Sequence, residues 1–254
     1  QGMNQPGSVS YPESHDEERI IYKALEFGNG SGAYQTSELN TALERMEALQ
    51  CFNILLPGPK LIWQFEELGY DYSINTCSDG VTISENCRTE AKPVRWDYRD
   101  NPNRYRIHEV ISGLCKLKHE HPSTFNTNNY NWDVGGYGKR LHLNGSMNAT
   151  VVANFKVDGI EMIPGFQHTG QWWDYFTGES FSVSDVNAFM SFAPGEYHVY
   201  VDEALDFPST SPELPLHSEK RSNSLFPNPA TTRTTWNVPL TPQANYEFRM
   251  SNHL

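Results

Sequence analysis

The hydrophobic period of this chain changes once, and that change limits what it can fold into. In the first half, apolar residues recur at helical spacing. Leu39, Ala42, Leu43, Met46, Leu49 and Phe52 form one such set, and Ile107, Val110, Ile111, Leu114 and Leu117 form another. This spacing places an apolar stripe along a helix. From about Lys139 the period becomes two. Met147, Ala149, Val151, Ala153, Phe155 and Val157 alternate with mostly polar neighbours, and Tyr197, Val199 and Val201 do the same. Alternation of that kind belongs to strands with one buried face. The expectation is an α/β part followed by an all-β, antiparallel part.

Local signals place the elements. Residues 7–15 read as a short strand that Pro12 ends near Tyr11, because proline removes a ladder donor. A short helix or turn is expected over 17–25, then a flexible loop over 28–32. That loop lacks the preceding strand and following Lys-Ser/Thr that a phosphate cradle needs. Ser37 is a candidate helix cap, with Glu38 favourable in the first turn. Pro57-Gly58-Pro59 stops this helix, and Leu61-Ile62-Trp63 with Phe65 reads as a short buried strand. Asn101 caps, and Pro102 opens, a second amphipathic helix over 102–119. Asp158-Gly159 and Pro194-Gly195 are turn signals in the β part. The expected divisions are 1–124, 125–205, a Pro/Ser-rich linker over 206–222, and a tail over 223–254.

Composition excludes some classes. The net charge of −12 argues against nucleic acid, whose phosphates require a basic face. No apolar run reaches the roughly eighteen residues of a membrane helix. The first six residues lack a basic stretch followed by an apolar one, so they do not read as a signal peptide. They read as the middle of a protein, because a strand pattern begins at once. Cys51 and Cys115 sit in helical apolar patterns, where a buried free thiol is the ordinary outcome. Cys77 and Cys87 bracket a short polar loop, which points to a disulfide and an oxidising compartment. No CxxC or histidine pair accompanies them, so zinc is not expected.

The chemistry-bearing stretch is Glu13-Ser14-His15-Asp16-Glu17-Glu18-Arg19, at the end of an apolar run and just before a helical pattern. A parallel barrel places its functional residues at such a strand-to-helix loop. Taken alone, His15-Asp16 also fits a helix cap beside a surface histidine. A second stretch runs from Gly58-Pro59-Lys60-Leu61-Ile62-Trp63-Gln64-Phe65 to Glu66-Glu67-Leu68-Gly69-Tyr70-Asp71. With Tyr72-Ser73-Ile74-Asn75 and Arg88-Thr89-Glu90-Ala91-Lys92-Pro93-Val94-Arg95-Trp96-Asp97-Tyr98, these motifs in this order resemble the α-amylase superfamily of glycoside hydrolases. The resemblance covers about 8–205. It implies the carboxyl-terminal fragment of a (β/α)8 barrel, with strands seven and eight and their helices, followed by a β-sandwich domain. A whole barrel takes at least about 200 residues.

The resemblance implies a retaining mechanism on α-1,4-glucans, in which two carboxyls flank the glycosidic bond and a third stabilises the transition state. Asp16 matches that third carboxylate, and His15 matches the histidine that bonds a sugar hydroxyl. The nucleophile and the acid/base would lie upstream of Gln1, so the fragment alone is expected to be inactive. Glu67 matches a residue that orders the strand-eight loop, while Glu66 departs from the small residue usual there. No cofactor is implied within this chain; calcium is common in the family, with ligands mostly in the missing part. The implied partner is an α-glucan polysaccharide or oligosaccharide, with no nucleic acid and no membrane span. Trp172, Trp173 and Tyr175 are either a sugar platform or core. Residues 223–231 resemble the opening of a type IX secretion sorting domain, and read otherwise as a Pro/Asn/Thr-rich tail. A secreted, periplasmic or cell-surface bacterial location follows. The other readings are a branching or glucanotransferase enzyme of the same superfamily, and a non-catalytic carbohydrate-binding β domain.

Overall fold

A computed structural model describes residues 7–206, together with the backbone of two short strands at Leu225–Phe226 and Thr235–Trp236. Those two strands pair with each other in antiparallel fashion. Most of the expected linker and tail lies outside the described residues. The chain divides into two compact units, Gln1–Ser211 and Pro212–Leu254.

The helices follow the apolar spacing. They are α1 (Ile20–Phe27), α2 (Leu39–Leu55), α3 (Pro102–Glu120) and the single turn α4 (Pro122–Phe125). The α3 start is as read: the Asn101 side chain accepts the amides of Asn103 and Arg104 at 3.0 and 3.2 Å, with Pro102 following. The α2 start is not as read. Glu38 is the residue at the cap position and makes no side-chain cap bond, while the Ser37 hydroxyl donates to the Asn29 carbonyl at 3.2 Å. Ser37 therefore fastens the glycine-rich loop instead of the helix. The carbonyls at the end of α2 are met from α3, where Lys118 Nζ donates to Ile54 and Leu56 at 2.9 and 2.7 Å. Leu43 and Met46 of α2 pack with Ile107 and Ile111 of α3 and Ile21 of α1. Cys51 is fully buried, but Cys115 is exposed. It sits beside the inward Leu114 on the outer side of α3.

The β part begins earlier than its alternation. Strands β1 (Tyr130–Asp133), β2 (Gly138–Asn144), β3 (Asn148–Asn154), β5 (Gly170–Asp174), β6 (Ser180–Val183) and β8 (Tyr197–Val201) form a six-stranded antiparallel sheet. Its order is β1-β2-β3-β8-β5-β6. Two further strands, β4 (Ile160–Met162) and β7 (Met190–Phe192), pair separately. In register, Leu141 faces Val151, and Val151 faces Val199. β3 is buried on both faces, with Val151 and Val152 both sealed from solvent. Val157, expected to continue the alternation, is exposed beyond the strand. Asp158-Gly159 is not a hairpin turn, because β3 pairs with β2 and β8 while β4 pairs with β7. The segment instead crosses between sheets, held by Asn154 Nδ2 donating to the Asp158 carbonyl at 2.8 Å.

One apolar core crosses the expected 124/125 boundary. Cys51, Ile54 and Leu55 of α2 and Leu114 and Leu117 of α3 share it with Leu141, Val151 and Val199 of the sheet. The Tyr175 hydroxyl donates to the Gly113 carbonyl inside α3 at 2.8 Å. The other sheet face packs Trp172, Phe166 and Tyr200 against the β4–β7 pair.

The two expected barrel strands reduce to one parallel bridge, Ser10 with Lys60. The Ser10 amide donates to Pro59 O, and Leu61 N donates to Ser10 O, both at 3.1 Å. Leu61-Ile62-Trp63 is not buried, with Ile62 36 % exposed. Parallel strands become buried when layers cover both faces. Among the described residues, neither bridged segment joins any of the strands above, and each pairs only with the other.

Candidate functional site

The cleft forms where the bridged segments end. Its volume is about 300 Å³, and its walls come from Ser14 to Asp16, Arg19, Trp63, Gln64, Tyr70, the turn at Ser73 and Ile74, and Arg88 to Lys92. The sequence motifs read as chemistry are thus brought to one place.

The loop carrying His15 and Asp16 is pinned from below. Glu13 is buried, accepts the Ile20 amide at the start of α1 at 2.7 Å, and pairs with Arg19 Nη1 at 2.9 Å. Burial raises the Glu13 pKa. The Arg19 guanidinium lies over the Tyr70 ring at 4.9 Å and near the Trp63 ring at 5.9 Å. Ser14 hydroxyl accepts the Asp16 amide at 3.1 Å and donates to Glu17. Glu18 reaches across to accept from Ser73 Oγ at 2.6 Å and the Ile74 amide at 2.8 Å. These bonds leave His15 and Asp16 projecting outward, with side chains 71 % and 68 % exposed. His15 Nε2 is 3.4 Å from Asp16 Oδ2, and the His15 ring sits 5.7 Å from that of Trp63.

The facing wall is Arg88 to Lys92, the segment that directly follows the loop closed by the Cys77–Cys87 disulfide. Arg88 donates to the Asp16 carbonyl at 2.5 Å, with its Nη2 3.7 Å from Asp16 Oδ1. Lys92 Nζ donates to the carbonyls of Thr76 and Cys87, both at 2.7 Å. Desolvation lowers the Lys92 pKa. Tyr70 Oη donates to the Pro93 carbonyl at 2.6 Å, and burial pushes its pKa up to about 12.

Loop ordering falls to Glu66, not Glu67. Glu66 is fully buried and accepts the Trp63 amide at 2.8 Å and Gln50 Nε2 at 2.5 Å. Burial raises its pKa to about 7. The next turn opens at Phe65, whose φ of 58° is left-handed, and closes at Gly69 with φ 64°. A Cβ on Gly69 would lie 2.3 Å from Leu43 Cδ2, so glycine is required there on both counts.

Glu13 and Glu66 are sealed inside the protein and present no carboxylate to a ligand. Trp172 and Tyr175 are core side chains and Trp173 is half-buried, so they form no open sugar platform. Among the described residues, Cys77, Cys87 and Glu90 are grouped as metal-type donors, but both sulfurs are used in the disulfide. The resemblance set Arg88 in a stretch that walls the substrate cleft, but gave neither it nor Arg19 a contact of its own. The available signal was weak: an arginine directly after a loop-closing cysteine.

No protein-family model matches the chain, and no curated protein matches it. Solved structures are similar to it. AmyP in complex with maltotriose shares 20 % identity over 66 % of this chain and 36 % of its own, with a TM-score of 0.50. AmyP in complex with maltose gives 19 %, 67 %, 36 % and 0.46 for the same quantities. The α-amylase from Geobacillus thermoleovorans complexed with acarbose gives 9 %, 63 %, 33 % and 0.46. The chain therefore spans about a third of the length of these structures. Over that part it has an amylase-like fold, α/β with a six-stranded antiparallel sheet.

Proposed function

We propose that the chain is the carboxyl-terminal part of a retaining α-amylase-type hydrolase acting on α-1,4-glucans. In this reading, 1–124 carries the last two strands and helices of a (β/α)8 barrel, and 125–205 is its β-sandwich domain. Residues 223–254 would then be a sorting tail of a secreted or cell-surface protein. The observation that carries the reading is the exposed His15-Asp16 pair in a cleft beside Trp63, directly after the parallel bridge.

Asp16 is the transition-state carboxylate. Breaking a glycosidic bond develops positive charge on the sugar ring, and a fixed anion there is stabilising by several kcal/mol. The Asp16 backbone is held through Ser14 and Arg88, which limits how far the carboxylate moves as that charge appears. His15 donates to a hydroxyl of the same ring. The nucleophile and acid/base, about 5–5.5 Å apart in retaining enzymes, belong to the upstream part.

Two measurements test this. The chain mixed with soluble starch is expected to release no reducing ends, and sustained turnover would overturn the division of catalytic groups. Calorimetric titration with maltotriose, the sugar held by AmyP, is expected to show binding that Asp16→Asn weakens about tenfold. A wild-type chain that takes up no heat with maltotriose sinks the glucan reading.

A further inference from the structure

We infer that Arg88 is a positioning residue for Asp16, and that the Cys77–Cys87 disulfide sets its reach. The sugar assigned to this pair rests on the reading above; the coupling of loop to aspartate does not.

Asp16 lies on an exposed loop, and its amide is fixed only locally, by the Ser14 hydroxyl two residues away. The long-range contacts on Asp16 come from Arg88, 72 residues on, whose Nη2 meets both its carbonyl and its carboxylate. Both contacts come from the one nitrogen Nη2, and the planar guanidinium fixes its direction more rigidly than the flexible ammonium of a lysine would. The carbonyl contact fixes the backbone of Asp16, while at 3.7 Å the carboxylate contact is loose enough to leave that group open to a ligand.

Arg88 is itself presented by a braced loop. Cys87, its neighbour, is joined to Cys77. The Cys77 amide donates to Thr82 O at 2.8 Å, and Asp79 accepts the amides of Val81 and Thr82, both at 2.9 Å. Lys92 then clips Thr76 O and Cys87 O together across the disulfide. The bridge, the clip and the arginine form one chain of contacts that ends at Asp16. Unlocking the bridge lets Arg88 swing with its loop.

The test compares the wild-type chain with Arg88→Ala, Arg88→Lys and the double variant Cys77→Ser/Cys87→Ser, all checked for unchanged helix and sheet content. Amide hydrogen exchange at Asp16, whose amide bonds Ser14 Oγ, reads the coupling without any ligand. Arg88→Ala and the serine variant are each expected to speed exchange there about three- to tenfold, and combining them is expected to add little, because both cut one chain of contacts. Arg88→Lys is expected to recover part of the protection. Exchange unchanged in Arg88→Ala, or full additivity of the two changes, overturns the inference. Maltotriose titration reads the consequence: affinity is expected to fall about three- to tenfold in the same variants. If exchange responds as expected but the wild type binds no maltotriose, the glucan reading falls and takes the ligand with it, while the coupling stands. A serine variant that loses its overall structure leaves the two Arg88 variants to decide.

Discussion

Glu66 shows how burial at one position governs a response of the whole protein. Its carboxyl is sealed from water, with the Trp63 amide and Gln50 as partners, and it titrates near 7 instead of its ordinary 4.5. The folded state therefore keeps this proton over a range in which the unfolded chain has released it. Stability from this group is fully present below about pH 4.5 and is lost as pH rises through about 7. The loss is on the order of 1–3 kcal/mol. Glu66→Gln is expected to remove that part of the fall, read as a smaller difference between urea midpoints at about pH 5 and pH 7 than in the wild type. An equal difference in both proteins would show that Glu66 is not held protonated. The sequence placed a loop-ordering acid in this turn but chose its neighbour, Glu67. Adjacent glutamates look alike until the chain direction is known, and the first of them is the one buried in the turn that the left-handed Phe65 opens. The Ser14-His15-Asp16 motif was legible because its residues are contiguous. Arg88 was not, since its partner lies 72 residues away.

At the scale of elements, α2 and α3 were legible because each carries a long apolar stripe, and periodicity is the strongest local signal. The α3 start was legible as well, because an Asn-Pro cap is a purely local device. Asn101→Ala strips the acceptor of two amides and is expected to cost about 1 kcal/mol, read as a lower urea midpoint with an unchanged slope. A change within error would mean that water replaces the cap. The strand read at Leu61 to Phe65 failed for a nonlocal reason. Apolar residues make a buried strand only where neighbours cover them, and Ile62 is left in water here. The Asp158-Gly159 signal failed similarly. A turn sequence fixes the local bend, whereas the partner of each strand is chosen by the sheets it joins.

At the scale of the folded unit, the helices and the sheet stand on common ground. Leu141 of β2 lies in the same core as Leu114 of α3 and Ile54 of α2. Leu141→Ala is expected to cost about 2–4 kcal/mol. Far-ultraviolet signals from the helices and near-ultraviolet signals from the sheet aromatics are expected to fall together in a single urea transition. Two separate midpoints, with only the sheet signal moved, would show that the halves melt independently. The change of period in the sequence marked where the secondary structure switches, and it looked like a domain border. Periodicity reports which way a side chain points, not which element it meets. The packing has a practical corollary for anyone who wishes to dissect the molecule. A gene cut after codon 124 would give two products, each with a greasy wall turned to the solvent, and both would clump. A sugar-binding assay on the isolated sheet would then report on an aggregate.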